Sequence, residues 1–239
     1  MRQEVGKWID RPGMTNLFIR HVERTEPVKH QYNPNADYEW LKHHSHVGYV
    51  PLDIQLPLDV MKQETARAES YMTPLKVAGS DSRGWVNLGM FAATLEDPYD
   101  KSFDKKEATA HWQELVRELM PETVRWFQEE WPHGEMYRMR LLGLLPGGVI
   151  GLHNDDCEGL HNINIAIHHP PQCKFYLEHW GIMPFEEGSV FATDVGYNHA
   201  VVNPSDQLRL HIVIYQEDDD RFKQLLERSY HRHYGGRGS

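Results

Sequence analysis

The second half of the chain alternates short apolar runs with turn residues. From about residue 135, runs rich in β-branched and aromatic residues are separated by clusters of Gly, Pro, Asn and Asp. These runs are MYRMRLLGLL, NINIAIHH, KFYLEHW, GSVFATD and LRLHIVIYQ. Short strands separated by such turns are typical of an antiparallel sandwich or a small barrel. The pattern therefore predicts a β-rich core over about residues 135–216.

A helical pattern precedes this core, over residues 106–131. Apolar residues from Trp112 to Leu119 recur at spacings of three and four, which predicts an amphipathic helix. Pro121 interrupts the pattern, because the residue before a proline is disfavoured in the helical conformation. We therefore expect a second short helix that begins near Pro121 and has the proline in its first turn.

The remaining parts of the chain have weaker patterns. Residues 1–105 mix short apolar runs with many turn residues, and RGWVNLGMFA at residues 83–92 is a strand candidate. We found no internal repeat and no low-complexity linker, so we expect one domain over all 239 residues. Its expected parts are an N-terminal covering region (about 1–105), a helical segment (about 106–134), the barrel core (about 135–216), and a C-terminal helix and tail (217–239).

Composition narrows the class of protein. The formal net charge of −10 opposes a nucleic-acid partner, since phosphate backbones require clustered positive charge. No apolar run approaches the roughly 18–20 residues of a membrane span, and the first twenty residues lack the pattern of a secretion signal. Two cysteines, Cys157 and Cys173, do not make a disulfide framework. We therefore expect a cytoplasmic protein with reduced thiols that binds neither membranes nor nucleic acid; its oligomeric state stays open.

A histidine and an aspartate lie two residues apart in GLHNDD, directly after an apolar run. Residues i and i+2 of a strand face the same side, so His153 and Asp155 can converge on one point while Asn154 points away. A polar loop that caps the strand would explain the same letters. Two histidines and one carboxylate with open positions are diagnostic of non-haem Fe(II) oxygenases. His199, before a later strand, can supply the third ligand.

An arginine, Arg209, opens the strand RLHIVIY ten residues after His199. If this segment is extended, Arg209 shares a face with His211, Val213 and Tyr215. An arginine inside a barrel is costly unless it is paired, and a planar guanidinium suits bidentate capture of a carboxylate. A dicarboxylate co-substrate that reaches from the metal to Arg209 would provide the pair. For His211, an ordinary core histidine is an equally good interpretation.

These motifs together resemble the aspartyl/asparaginyl β-hydroxylase family of 2-oxoglutarate-dependent dioxygenases, which includes hydroxylases of free amino acids such as proline. PGGVIGLHND and NHAVVNPSDQLRLHIVI carry the resemblance, which covers roughly residues 138–216. It implies a mainly β fold with flanking helices, namely a double-stranded β-helix, or jelly-roll barrel of the cupin type. It also implies that His153, Asp155 and His199 hold the metal. Arg209 then binds the far carboxylate of 2-oxoglutarate.

The chain departs from these relatives on the strand after the HxD pair. Relatives have a histidine there that contacts 2-oxoglutarate near the metal, whereas the matching position here is Asn162, with His161 beside it. Asparagine can donate the same kind of hydrogen bond. His211 is a further candidate for the co-substrate site. Asp155 separates the chain from the halogenases, in which a small residue replaces the carboxylate.

The resemblance implies Fe(II), 2-oxoglutarate and O₂, with ascorbate in support, and hydroxylation of an unactivated C–H bond with release of succinate and CO₂. The leading substrate is a free amino acid or a similar small molecule, whose carboxylate needs a basic partner. Candidates for substrate binding are Arg83, Trp85, Arg138 and Arg140. The alternatives are hydroxylation of an Asp, Asn or Pro residue in a peptide or protein, and a non-catalytic cupin-like metal- or ligand-binding protein. Arg209 is the feature that a non-oxygenase would not need.

Overall fold

The computed structural model describes five segments of the chain. These are residues 32–43, 47–75, 82–96, 110–155 and 159–235. Asp156, Cys157, the start of the predicted helix at 106–109 and the last residues of the tail lie outside them. Within the described segments, no helix is long and apolar enough to cross a membrane.

The described elements are five α-helices, one 3₁₀ helix (Glu69–Tyr71) and eleven strands. The helices are α1 (Tyr38–His43), α2 (Leu58–Ala68), α3 (Glu114–Leu119), α4 (Pro121–Glu129) and α5 (Asp220–Gly235). The strands are β1 (Tyr49–Pro51), β2 (Thr73–Pro74), β3 (Arg83–Ala92), β4 (His111–Trp112), β5 (Met136–His153), β6 (His161–His168), β7 (Lys174–Leu177), β8 (Gly181–Ile182), β9 (Val190–Thr193), β10 (His199–Val202) and β11 (Arg209–Gln216).

One antiparallel sheet forms the barrel, in the order β1-β9-β6-β11-β5-β10-β7-β8. The long strand β5 belongs to both halves of it. Its first part pairs with β11 and β3, and its last residues pair with β10. Between these parts the chain is exposed at Leu145–Gly147. Gly147 has a φ of +70°, a conformation that is strained for residues with a side chain. Because its partners change along its length, β5 connects the two parts of the sheet.

Two apolar clusters lie on opposite faces of this sheet. On β11, Leu210, Ile212 and Ile214 pack outward in a cluster that includes residues of all five helices. Val213 and Tyr215 point inward and join aromatic residues from β7 and β9 inside the barrel. The alternation follows from the two-residue period of a strand, and each fully buried aliphatic side chain contributes roughly 1.5–3 kcal/mol. This architecture confirms the expected jelly-roll with flanking helices.

Residues 106–131 were expected to form one helix and then a second that begins at a proline. The structure confirms these helices only from residue 114. The helices α3 and α4 meet at Pro121, which occupies the first turn of α4 as expected. Trp112, however, belongs to β4 and pairs with Phe91 of β3 instead of continuing the helix. The helical prediction was therefore wrong at 111–112, because the available edge of β3 overrides a local helical periodicity.

Candidate metal centre and active site

Strand register brings two histidines together at one end of the barrel. His153 is the last residue of β5 and His199 the first residue of β10, and the two are direct partners in the antiparallel ladder. Their ring centroids are 4.3 Å apart. Asp155 follows β5 by two residues, and its backbone N–H donates to the carbonyl of Val195 at 2.9 Å. Two strand ends and one backbone hydrogen bond thus position the three side chains.

The three side chains converge through the atoms that bind metals. Nε2 of His153 lies 3.9 Å from Oδ1 of Asp155, and Nε2 of His199 lies 3.9 Å from Oδ2 of the same carboxylate. One ligand atom from each residue lies within 4.8 Å of the others. Two imidazoles and one carboxylate around a shared point are the donor set of a non-haem Fe(II) site, so these residues fit that ion.

Backbone carbonyls determine which nitrogen of each imidazole is available. Nδ1 of His153 lies 2.7 Å from the carbonyl oxygen of Gly151, and Nδ1 of His199 lies 3.0 Å from that of Tyr197. A carbonyl only accepts, so each Nδ1 carries the hydrogen and each Nε2 keeps its lone pair. Burial, with the neighbouring His153, lowers the pKa of His199 to about 4. The neutral imidazole that a metal requires is therefore the stable form.

Neighbouring side chains hold the carboxylate and one ring in place. The hydroxyl of Tyr215 donates to Oδ2 of Asp155 at 3.1 Å. Phe175 stacks on His199, with centroids 5.7 Å apart and an interplanar angle of 8°. Tyr215 was noted in the sequence only as sharing the face of Arg209, and that same-face relation was the signal that could have assigned it to the site.

The triad opens into a pocket that also contains two buried arginines. Arg140 and Arg209 line this pocket together with Asn162 and Asn164. All four side chains are at most 4% exposed. The amide nitrogen of Asn164 donates to Oδ1 of Asn162 at 2.8 Å, which orients both amides. The pocket thus combines a metal-binding triad with cationic and amide groups.

Arg209 is a buried cation that has no carboxylate partner among the described residues. It is 2% exposed, and burial lowers its pKa to about 10, which still leaves it charged at neutral pH. One terminal nitrogen, Nη2, lies 2.9 Å from Nδ1 of His211. Its Nε is buried and has no hydrogen-bond partner in the described structure. A buried charge in this state favours an anionic ligand.

The structure places His161 away from the pocket, which corrects its assignment to the co-substrate site. Its Nε2 lies 2.9 Å from the hydroxyl of Tyr38, and its ring packs 4.7 Å from that of Phe222. His161 shares the outward face of β6 with its isoleucines, whereas Asn162 points inward to the pocket. A one-residue shift along a strand moves a side chain to the opposite face. His211 also lies behind Arg209 rather than in the pocket wall.

The four candidates for substrate binding are separated in the same way. Trp85 and Arg140 line the pocket, and the ring of Trp85 lies 6.1 Å from that of His153. Arg83 is exposed at the start of β3, outside the residues that line the pocket. Arg138 is buried at 4% exposure but is not part of the pocket wall either. Arg140 and Trp85 therefore remain the candidates that geometry supports.

Sequence comparison identifies the family. A family model described as aspartyl/asparaginyl beta-hydroxylase matches residues 53–217, which contain the triad and Arg209. The chain belongs to this family. The family consists of Fe(II)- and 2-oxoglutarate-dependent oxygenases, and this confirms the predicted enzyme class. It also confirms the expected cofactors, namely Fe(II), 2-oxoglutarate and O₂.

Similar solved structures include an oxidoreductase of the 2OG-Fe(II) oxygenase family from Burkholderia pseudomallei and a prolyl-4-hydroxylase from Pseudomonas putida. The first is 13% identical and covers 81% of this chain and 95% of its own, with a TM-score of 0.49. The second is 15% identical and covers 76% of this chain and 97% of its own, with a TM-score of 0.44. A search of curated proteins finds no match. The family assignment therefore depends on the sequence match.

Proposed function

We propose that this β-hydroxylase family member uses 2-oxoglutarate to hydroxylate a free amino acid or a similar small molecule. The position of Arg209 is the observation that supports 2-oxoglutarate as the co-substrate. Its buried guanidinium lines the same pocket as His153, Asp155 and His199, and no described carboxylate neutralises it. A dicarboxylate that chelates the metal at one end and binds Arg209 at the other satisfies both parts of the pocket.

Each residue has a defined part in this reaction. When bound, Fe(II) with O₂ and 2-oxoglutarate supplies the oxidising power to convert C–H to C–OH, with succinate and CO₂ as the other products. His153, Asp155 and His199 would hold the metal through one ligand atom each. Arg209 orients the co-substrate through its far carboxylate. We assign to the amide of Asn162, which lines the pocket, a hydrogen bond to the co-substrate carboxylate at the metal end.

Arg140 supports a substrate with a free carboxylate. It is 1% exposed and lines the pocket beside the triad, so a substrate near the metal is also near a second cation. A free amino acid offers a carboxylate to this guanidinium, whereas an internal Asn or Pro residue of a peptide offers only amide groups. Trp85 contributes an aromatic wall beside His153. Of the two, only Arg140 bears on the choice of substrate, and it favours a free amino acid over an internal Asn or Pro residue.

The decisive experiment measures succinate formed from 2-oxoglutarate by the purified protein with Fe(II) and ascorbate. The panel contains the free amino acids, their N-acetyl amides, and short peptides with internal Asp, Asn or Pro. We expect one or a few free amino acids to stimulate succinate release. Mass spectrometry should then detect a product that is heavier than this amino acid by one oxygen atom. Arg140→Gln should raise the KM for the amino acid and leave the 2-oxoglutarate affinity unchanged.

Variants separate this proposal from its alternatives. His153→Ala should abolish turnover and metal binding, whereas His233→Ala, on α5, should retain both. Stimulation by a peptide instead of the free amino acids would replace the substrate proposal with peptidyl hydroxylation. Metal binding with no affinity for 2-oxoglutarate would instead favour a cupin-like binding protein. In that case the hydroxylase proposal is wrong.

A further inference from the structure

A row of buried hydrogen bonds leads from Arg209 away from the pocket to the backbone. Nη2 of Arg209 lies 2.9 Å from Nδ1 of His211, and Nε2 of His211 lies 3.0 Å from Nδ1 of His169. Nε2 of His169 lies 3.2 Å from the carbonyl oxygen of Cys173. Neither histidine is part of the pocket wall. Among the described residues, the hydrogen bonds of this row therefore reach the pocket only through Arg209.

The direction of every hydrogen bond in this row is determined. The carbonyl of Cys173 only accepts, so Nε2 of His169 carries the hydrogen and its Nδ1 is an acceptor. Nε2 of His211 must then donate to His169, which leaves Nδ1 of His211 as an acceptor. Arg209 only donates, so its Nη2–H completes the row. One neutral tautomer of each histidine satisfies all three contacts.

The surroundings keep both histidines neutral and fixed. Burial, followed by the charge of Arg209, lowers the pKa of His169 to about 3 and that of His211 well below its ordinary value. The other charged or titratable groups that act on the pair are Lys174 and His168. Phe185 packs on both rings, with its centroid 5.5 Å from His169 and 4.9 Å from His211. The two imidazoles thus have little freedom to rotate.

We propose that His211 and His169 are positioning residues that hold the guanidinium of Arg209 in the orientation that receives the far carboxylate of 2-oxoglutarate. The proposal rests on the proposed co-substrate role of Arg209. A neutral acceptor orients the guanidinium without cancelling its charge. An aspartate at position 211 would instead form an ion pair with Arg209 and compete with the ligand for it. The Nε of Arg209, which has no described partner, remains available as a donor.

The test compares ligands with and without a second carboxylate. Mn(II) replaces Fe(II) in the absence of O₂, and calorimetry measures the binding of 2-oxoglutarate and of pyruvate, which shares the 2-oxo acid end only. In His211→Leu we expect 2-oxoglutarate to bind roughly tenfold or more weakly, because the orienting acceptor is lost. The affinities for pyruvate and Mn(II) should stay unchanged, since neither ligand uses Arg209. In turnover, the KM for 2-oxoglutarate should rise more than kcat falls.

Three further variants test the row itself. His211→Asn keeps an acceptor near the position of Nδ1, and should recover most of the 2-oxoglutarate affinity. His169→Leu changes a residue that does not contact Arg209. It should also weaken the binding of 2-oxoglutarate without affecting pyruvate, but by a smaller factor. His211→Asp should weaken the binding of 2-oxoglutarate most. If His211→Leu does not fold, His211→Asp and His169→Leu test the positioning role in its place.

The failure of this proposal is distinct from that of the proposed function. Wild-type affinity for 2-oxoglutarate in both leucine variants would overturn the positioning role and leave the co-substrate role of Arg209 intact. Equal losses for 2-oxoglutarate, pyruvate and Mn(II) would show that the histidines act only on the fold, and would also overturn the positioning role. If the wild-type protein with Mn(II) does not bind 2-oxoglutarate, the proposed function itself is wrong.

Discussion

At the scale of single residues, the candidate site depends on groups that orient the ligands. Gly151 and Tyr197 fix the imidazoles through their carbonyls, and Tyr215 fixes the carboxylate of Asp155 through its hydroxyl. Such contacts hold ligand atoms near the geometry the metal requires before it binds. Their loss typically weakens metal affinity by roughly 10–100-fold, even though no ligand atom is removed.

Tyr215→Phe tests this orientation directly. It removes the hydroxyl that donates to Asp155 and retains the ring inside the barrel. We expect metal affinity to fall about tenfold, with a change of about 1 kcal/mol or less in the free energy of unfolding. Titration with Mn(II) and urea unfolding measure the two quantities. Tyr137→Phe is the matched control, because its hydroxyl bonds to Glu135 and Glu217 instead. Equal metal affinity in the two variants would exclude the role of Tyr215.

Local relations along a strand predict which side chains share a face. The i, i+2 relation within GLHNDD placed His153 and Asp155 on one side, and their ligand atoms do converge. The same reasoning, applied to His161 and Asn162 together, could not hold for both, since neighbouring strand residues face opposite sides. The role of His169 had no local signal, because its partner His211 is 42 positions away.

At the scale of elements, α4 is stabilised by a residue from another helix. Glu64 of α2 is 4% exposed, and its carboxylate accepts the backbone N–H groups of Glu122 at 3.2 Å and Thr123 at 2.8 Å. These N–H groups have no partner within the first turn of a helix. A negative charge at this end also interacts favourably with the helix dipole. The sequence placed Pro121 at the start of α4, but its cap comes from a residue almost sixty positions earlier.

Glu64→Gln measures the contribution of this cap. The amide can accept at one oxygen only and turns a donor toward the other N–H group, so we expect the free energy of unfolding to fall by about 1–2 kcal/mol. Urea unfolding monitored by circular dichroism provides the measurement. Glu118→Gln, on the exposed side of α3, is the control and should change the stability little. If the two variants lose the same stability, Glu64 does not cap α4.

At the scale of the whole molecule, a buried histidine links stability to pH. Burial, against the opposing effect of Asp218, lowers the pKa of His161 to about 4 from its ordinary value of 6.5. Lys42 adds to the lowering, and the Tyr38 hydroxyl lies 2.9 Å from the ring. Between these two pKa values the unfolded chain binds a proton that the folded chain does not. The contribution to stability is therefore complete above about pH 6.5 and decreases as the pH falls toward about 4.

His161→Gln should weaken this pH dependence. The amide does not titrate and retains a group that can hydrogen-bond to Tyr38, so less stability should be lost between about pH 7 and pH 4.5 than in the wild type. Urea unfolding at the two pH values measures the stability that each protein loses on acidification. His233→Gln, near the end of α5, should leave the wild-type dependence unchanged. A variant that loses as much stability as the wild type on acidification would contradict the assignment.

The sequence by itself determined the class of fold, and it predicted the three side chains that converge at the candidate site. Alternation of apolar and polar residues predicts strands and their inward faces, because the two-residue period is a local property of an extended backbone. The alternation predicts the strands from residues 83–92 onward, and it predicts that Arg209 lies on the inward face of β11. The motif spacing then led to the family, which the sequence match over residues 53–217 shows.

Only the tertiary structure decided which distant groups meet. The register of β5 against β10 pairs His153 with His199, and the curled sheet brings Arg140 and Arg209 to one pocket. The row that supports Arg209, with His169, likewise depends on neighbouring strands and on the turn that follows β6. Such contacts follow from register and curvature, which depend on the packing of both sheet faces at once. No local stretch of sequence contains that information.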